Sequence, residues 1–128
     1  MDNCISIIVP TYKEADNISV LVESIDKAMR SANLNYEIII VDDNSNDGIV
    51  EKVKQLNKQK YPVAIKVRVH ERGLSSAVIE GFKLAKGNIY LVMDADLSHP
   101  PEKIPDIIQP IISGKAEFVV GSRFVEGG

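Results

Sequence analysis

Residues 89–102 read Ile-Tyr-Leu-Val-Met-Asp-Ala-Asp-Leu-Ser-His-Pro-Pro-Glu. The apolar run predicts a buried strand, and it ends in two carboxylates separated by one residue. In an extended chain, residues two apart point to the same side. Asp94 and Asp96 can therefore converge on one ligand while Ala95 faces away. Two carboxylates aimed together repel each other unless a cation lies between them. A hard divalent ion such as Mg²⁺ or Mn²⁺, bridging to a phosphate, meets that need. The competing reading is a solvated acidic turn after a strand.

Other polar groups carry similar pairs of readings. Asp42 is either a turn former or a carboxylate that accepts hydrogen bonds from a nucleobase or ribose. Its neighbour Asp43 points the opposite way on an extended chain, so the two are not expected to share a role. Tyr12 is a surface aromatic or packs on the face of a base. Glu14 lies where a negative charge favours a helix amino end, or it contributes to a ligand site. Arg72 and Arg123 are solvated cations or forks that match phosphate oxygens. His99, before two prolines, reads as a turn residue rather than a base. No Gly-x-Gly-x-x-Gly or Walker sequence is present, which disfavours a Rossmann dinucleotide or ATP site.

The elements that must position these groups alternate. Residues 5–9 form a β-branched run closed by Pro10 and predict the first strand. Asn17 is expected to cap a helix with Ile18, Leu21, Val22, Ile25, Ala28, Met29 and Ala32 on one face. Residues 36–41 predict the second strand, and Ile49, Val50, Val53 and Leu56 a second helix. Residues 64–69 alternate with Lys66 and Arg68, as in a more exposed strand near an edge. Leu74, Ala77, Val78, Phe82 and Ala85 mark a third helix stopped by Gly87. After the strand at 89–93, the prolines at 100, 101, 105 and 110 blur the next helix. Gly114 is expected to end it, before a fifth strand at 117–120. Such alternation implies a mostly parallel sheet with right-handed crossovers. Ligands in such sheets sit beyond the carboxyl ends of the strands, where strand order reverses. The polar clusters fall there: residues 10–14, 42–43, 70–73, 94–96 and 121–123.

The 128 residues fit one domain. They are 45% hydrophobic and 26% charged, ordinary for a soluble globular chain that buries a core. A net charge of -3 argues against nonspecific nucleic-acid binding, so no nucleic-acid partner is expected. A phosphate ligand must be held here by local donors and a metal. The single cysteine, Cys4, excludes an internal disulfide and reads as a small core residue. No apolar run is long enough to span a membrane, and no signal peptide opens the chain. The expected location is cytoplasmic.

The motifs resemble glycosyltransferase family 2, and within it the dolichol-phosphate (polyprenol-phosphate) mannose synthases. The matching segments are Ile8-Val9-Pro10-Thr11-Tyr12-Lys13-Glu14-Ala15-Asp16-Asn17-Ile18, Ile40-Val41-Asp42-Asp43-Asn44-Ser45-Asn46-Asp47-Gly48, Arg72-Gly73-Leu74, residues 93–102, and Gly121-Ser122-Arg123 with Gly127-Gly128. They cover the whole chain in order, and residues 93–102 are the most specific. Lys13 stands where the family commonly has Asn, and Asn46 where it commonly has Pro. Ser75 and Ser76 also depart from its usual small-residue pattern.

The resemblance implies an α/β GT-A fold, Rossmann-like, with helices on both faces of a mostly parallel sheet. Residues 1–128 would form one nucleotide-sugar-binding domain, the amino-terminal part of a longer catalytic domain. By motif match, Pro10, Tyr12, Glu14 and Asp42 surround the nucleoside, with Arg72 also at the nucleotide-sugar. Asp94, Ala95 and Asp96 lie at the diphosphate; Asp94 and Asp96 hold the metal, with Ser98 a further ligand. Arg123 approaches the donor phosphates or the acceptor phosphate. The implied cofactor is Mg²⁺ or Mn²⁺, the donor GDP-mannose, and the acceptor a polyprenyl or dolichyl phosphate at the cytosolic face of a membrane. The implied chemistry is inverting transfer. Other readings are a related transferase using UDP-glucose or another nucleotide-sugar, and a noncatalytic nucleotide-sugar-binding fragment. A phospho-receiver domain fits less well, because its acidic pair follows the first strand. The chain ends early for the family, so an exposed strand edge and self-association are expected.

Overall fold

The computed structural model describes residues 3–70, 73–98 and 100–113. Four strands, β1 (Cys4–Thr11), β2 (Asn35–Asp42), β3 (Val63–Val67) and β4 (Ile89–Val92), alternate with α1 (Ala15–Ser31), α2 (Ile49–Lys58) and α3 (Leu74–Leu84). A 3₁₀ turn at Pro101–Lys103 leads into α4 (Ile104–Ile112). All strand pairs are parallel, in the order β3-β2-β1-β4.

This order follows from the handedness of crossovers. The chain steps from β1 to β2 to β3 in one direction, placing α1 and α2 on one face. It then returns past β1 to β4, so the right-handed crossover puts α3 on the opposite face. Strand order reverses between β1 and β4. β1 is central and covered on both sides, which explains its unbroken apolar run from Ile5 to Val9 around the single hydroxyl of Ser6. Ile5, Ile7 and Val9 join the larger core with Leu21, Ile25, Met29, Val53 and Ile104. Ile39 and Val41 meet Ala77 of α3 on the other face.

The expected strands and helices are present among the described residues, with local differences. α1 begins at Ala15 with Glu14 as its capping residue, so Asn17 is not the cap. Instead its Nδ2 donates to Glu14 Oε2 at 3.0 Å. β3 is an edge strand, as expected, but it stops at Val67, and Arg68 beyond it is buried rather than exposed. α3 ends at Leu84 and not at Gly87. Gly87 is needed for a different reason: a Cβ there would lie 2.4 Å from the Cys4 carbonyl oxygen. Cys4 is only half-buried. Pro110 sits inside α4, at a cost to its hydrogen bonding that the apolar face of Ile104 and Ile108 offsets by packing. Gly114 and the strand at 117–120 lie outside the described residues. Among those described, no helix is long and apolar enough to cross a membrane.

α3 approaches the sheet closely at Gly81, where a Cβ would meet Ile8 Cγ2 at 2.4 Å. Glycine inside a helix ordinarily costs up to ~1 kcal/mol relative to alanine. The clash decides the sign here, since Ile8 is fully buried and cannot swing away. Gly81→Ala is expected to destabilise the fold by about 1–3 kcal/mol through overpacking. Urea unfolding checks this, and an unchanged or raised midpoint would disprove the tight approach.

Candidate functional site

The loops after β1, β2 and β4 and the start of α3 share the carboxyl edge of the sheet. The polar groups predicted to act together are therefore on one edge. Asp42 ends β2 and is 1% exposed. A carboxylate that buried needs hydrogen-bond donors to remain charged. Three are present. Thr11 Oγ1 donates to Oδ1 at 2.6 Å, the Ser45 hydroxyl to Oδ1 at 2.7 Å, and the Ser45 amide to Oδ2 at 2.9 Å. Ser45 Oγ accepts the Lys13 amide at 2.7 Å, and the Asp43 amide donates to the Thr11 carbonyl at 3.0 Å. Asp42 thereby ties the Tyr12–Glu14 segment to the loop after β2.

Asp43 belongs to a separate network, as the alternation of an extended chain requires. Its Oδ1 accepts Arg68 Nε at 2.8 Å and lies 2.6 Å from Nη2 in an ion pair, and its Oδ2 accepts the Gly73 amide at 3.1 Å. Asp47 pins two helices at once: it accepts the amide of Ala15, first in α1, at 3.1 Å, and that of Ile49, first in α2, at 3.3 Å. One negative charge thus meets two helix amino ends, where the macrodipoles favour it.

Tyr12 is 47% exposed, with Lys13 Nζ 5.3 Å from its ring centre. Pro10 and Glu14 are half-buried. A pocket of about 310 Å³ opens beside the loop after β2, lined by Asp42, Asn44, Asp47, Gly48 and Val67. Of the predicted nucleoside set, Asp42 alone lines it.

At the reversal of strand order, Ile8 registers with Val92, and the Met93 amide donates to the Ile8 carbonyl at 3.0 Å. This pairing brings Asp94 out toward the end of β1. Asp94 is half-buried and Asp96 exposed, while the side chain of Ala95 is packed in the core. Ala95 can therefore meet a ligand only through its backbone. Leu97 adopts φ 63°, and the Ser98 amide returns to Asp96 Oδ1 at 3.0 Å, fixing that carboxylate in a tight turn. Among the described residues, no three His, Cys, Asp or Glu side chains gather as a metal-binding group. Arg72, Arg123 and His99 lie outside the described residues.

The residues that organise this edge, Thr11, Asp43, Ser45, Asp47 and Arg68, were not singled out from the sequence. Ser45, three residues after Asp42 in a turn-forming run, offered a local signal, since Asp side chains bond to backbone a few residues on. Arg68 offered none, because its partners are 25 and 8 residues away.

Comparison with known proteins matches residues 6–128 to the family model described as Glycosyl transferase family 2. The chain belongs to this family. Its relatives include the dolichol-phosphate mannosyltransferases of Pyrococcus furiosus, 51% identical over 97% of this chain, and of Saccharomyces cerevisiae, 46% identical over 95%. The chain spans 34% and 45% of the lengths of those two relatives. Among solved structures, it is similar to a mannosyltransferase from Pyrobaculum calidifontis in complex with GDP-Man and Mn²⁺, with a TM-score of 0.68 and 25% identity over 80% of this chain and 30% of that one. Glucosyl-3-phosphoglycerate synthase from Mycobacterium tuberculosis shares the fold, with a TM-score of 0.66 at 18% identity over 87% of this chain and 40% of that one. The architecture is thus that of the GT-A glycosyltransferases: a mostly parallel sheet flanked by helices.

The buried Asp42 gives a stability test within this frame. Asp42→Asn replaces an acceptor by a donor that faces other donors. It is expected to destabilise by about 1–3 kcal/mol, more than Thr11→Val, which removes one donor of three. Chemical denaturation of both variants checks the order, and the reverse order would show that Asp42 is not the anchor.

Proposed function

We propose that this chain is the donor-binding part of a glycosyltransferase that moves mannose from GDP-mannose to a dolichyl or polyprenyl phosphate. The observation that carries this reading is the identity of 46–51% to dolichol-phosphate mannosyltransferases over 95–97% of the chain. The placement of Asp94 and Asp96 at the reversal of strand order supports it, because open α/β sheets bind ligands at that point.

A divalent cation fits the groups present. Asp94 and Asp96 offer hard oxygen donors, and no His or Cys stands beside them in the sequence except His99. Two carboxylates suffice for Mg²⁺ or Mn²⁺, since such ions are often held by one or two carboxylates plus substrate phosphates and water. Ser98, whose amide closes a turn on Asp96, would supply a further contact. A bound cation supplies charge neutralisation at a departing diphosphate.

The chain's own residues would act by binding and orientation. Tyr12 presents an exposed ring at the end of β1, able to stack on a base. Pro10 and Glu14 flank it, and Asp42 holds that segment against the loop after β2. Arg72 and Arg123 are assigned to phosphate oxygens by sequence motif alone. The acceptor is a phosphate oxygen, already ionised at neutral pH, so no general base is required. Direct displacement at the anomeric carbon inverts it: the new phosphate oxygen–carbon bond forms as the bond to GDP breaks. Work at a polyprenyl phosphate places the protein at a membrane surface. The second reading, donor binding without turnover by this chain alone, is favoured by its spanning 34–45% of the relatives' lengths.

Calorimetric titration with GDP-mannose and UDP-glucose, with and without Mn²⁺, tests the donor. GDP-mannose is expected to bind at least about tenfold more tightly, a difference of ~1.4 kcal/mol. Asp96→Asn should abolish most of the gain given by Mn²⁺ while leaving metal-free GDP binding nearly unchanged. A preference for UDP-glucose would overturn the donor assignment. Equal losses with and without Mn²⁺ would remove the metal role of Asp96.

A further inference from the structure

We propose that Arg68 is a positioning residue for the nucleotide end of the site. It acts by holding Asp43 and the start of α3 in one fixed arrangement, without touching the donor. The inference rests on the reading of this chain as a nucleotide-sugar-binding domain.

Arg68 is the first residue after β3 and is 6% exposed. A guanidinium this buried is costly unless its donors are met. They are met by three residues from two separate segments. Nε and Nη2 both converge on Asp43 Oδ1, just past the end of β2. Nη2 also donates to the Gly73 carbonyl at 3.0 Å, and Nη1 to the Ser76 hydroxyl at 2.7 Å, in the first turn of α3. The Arg68 amide donates to the Asp42 carbonyl at 2.8 Å, so its backbone is fixed on β2 as well.

Gly73 completes the arrangement. Its amide donates to Asp43 while its carbonyl accepts from Arg68. Both groups can face the ion pair because Gly73 adopts φ 114° and ψ 149°, a conformation closed to residues with a Cβ. A glycine in this conformation, with both backbone groups committed to one ion pair, ties the amino end of α3 to Arg68.

Stability alone is a weak reason for such a pair, because well-packed apolar groups often serve as well or better. What the guanidinium supplies is direction. It fixes the spacing between the end of β2 and the amino end of α3, both at the carboxyl edge of the sheet. Only a guanidinium reaches Asp43, the Gly73 carbonyl and Ser76 at once from nitrogens held in one plane; lysine keeps the charge but has a single nitrogen.

The test compares Arg68→Lys, Arg68→Ala and Ser76→Ala with the unaltered protein. GDP affinity is read by calorimetry with and without Mn²⁺, and thermal unfolding is measured in parallel. Arg68→Lys is expected to weaken GDP binding about tenfold, ~1.4 kcal/mol. The factor should be the same with and without Mn²⁺, because the metal end is not involved. Ser76→Ala, which removes one arm of the network, should give a smaller loss in the same direction. Methylguanidine should restore part of the GDP affinity of Arg68→Ala, and methylammonium should not. Lowered melting temperatures with unchanged GDP affinity would overturn the proposal and leave Arg68 a structural ion pair. Failure of the unaltered protein to bind GDP would instead overturn the functional reading, and this inference with it.

Discussion

Asp42 is a carboxylate with only 1% of its surface exposed, and the carboxyl edge of the sheet is arranged around that fact. A carboxylate there must accept hydrogen bonds from its surroundings, because burial without them costs several kcal/mol. The donors come from Thr11 on β1 and from Ser45 in the loop after β2. Satisfying the charge therefore requires two separate connections to adopt one shape. The Lys13 amide, bonded to Ser45, extends that requirement to the segment that carries Tyr12 and Glu14. Asp47 repeats the device one turn later by joining the first residues of α1 and α2.

The backbone conformations along this edge are consistent with loops held by such contacts. Lys13, Asn44, Asn46 and Leu97 all have positive φ, and each lies in a connection that follows β1, β2 or β4. Asn tolerates this region better than most residues, whereas Lys and Leu do not. Lys13 and Leu97 are kept there by neighbours: the Lys13 amide is bound by Ser45, and Leu97 lies inside the turn that Ser98 closes on Asp96. Strain of this kind persists where the surroundings over-determine the chain, and such places cluster at ligand sites.

The apolar periodicity made the alternation of strands and helices legible, because burial on both faces leaves a continuous mark on β1 and a 3.6-residue mark on α1. Residues 89–92 could be read as a strand and Asp94 and Asp96 as its polar end for the same reason. Side-chain pairings across the fold left no such mark. Arg68 looked like the exposed half of an alternating edge strand, yet it is buried because Asp43 and Ser76 lie within its reach in space and not in sequence. Asn17 looked like a cap because its residue type favours that position, but the helix starts two residues earlier, where Asp47 meets the Ala15 amide from another loop. A cap supplied from a distance is invisible to local reading.

The charges at this edge also bear on what it can receive. Asp42 and Asp43 are held by hydroxyl, amide and guanidinium donors of the protein, and Asp47 by two helix amino ends, so much of their field is absorbed locally. Asp94 and Asp96, after β4, are half-buried and exposed respectively. Two unit charges of like sign about 5 Å apart in a surface environment repel by ~3 kcal/mol. A diphosphate brought to Asp94 and Asp96 would meet that repulsion more than once, and a net charge of -3 gives the chain no general field to offset it. On the proposed reading, the division of the edge follows from this. The nucleoside end can lie against carboxylates whose acceptor atoms the fold already fills with donors, while at the phosphate end a divalent cation can offset the repulsion between Asp94, Asp96 and a diphosphate.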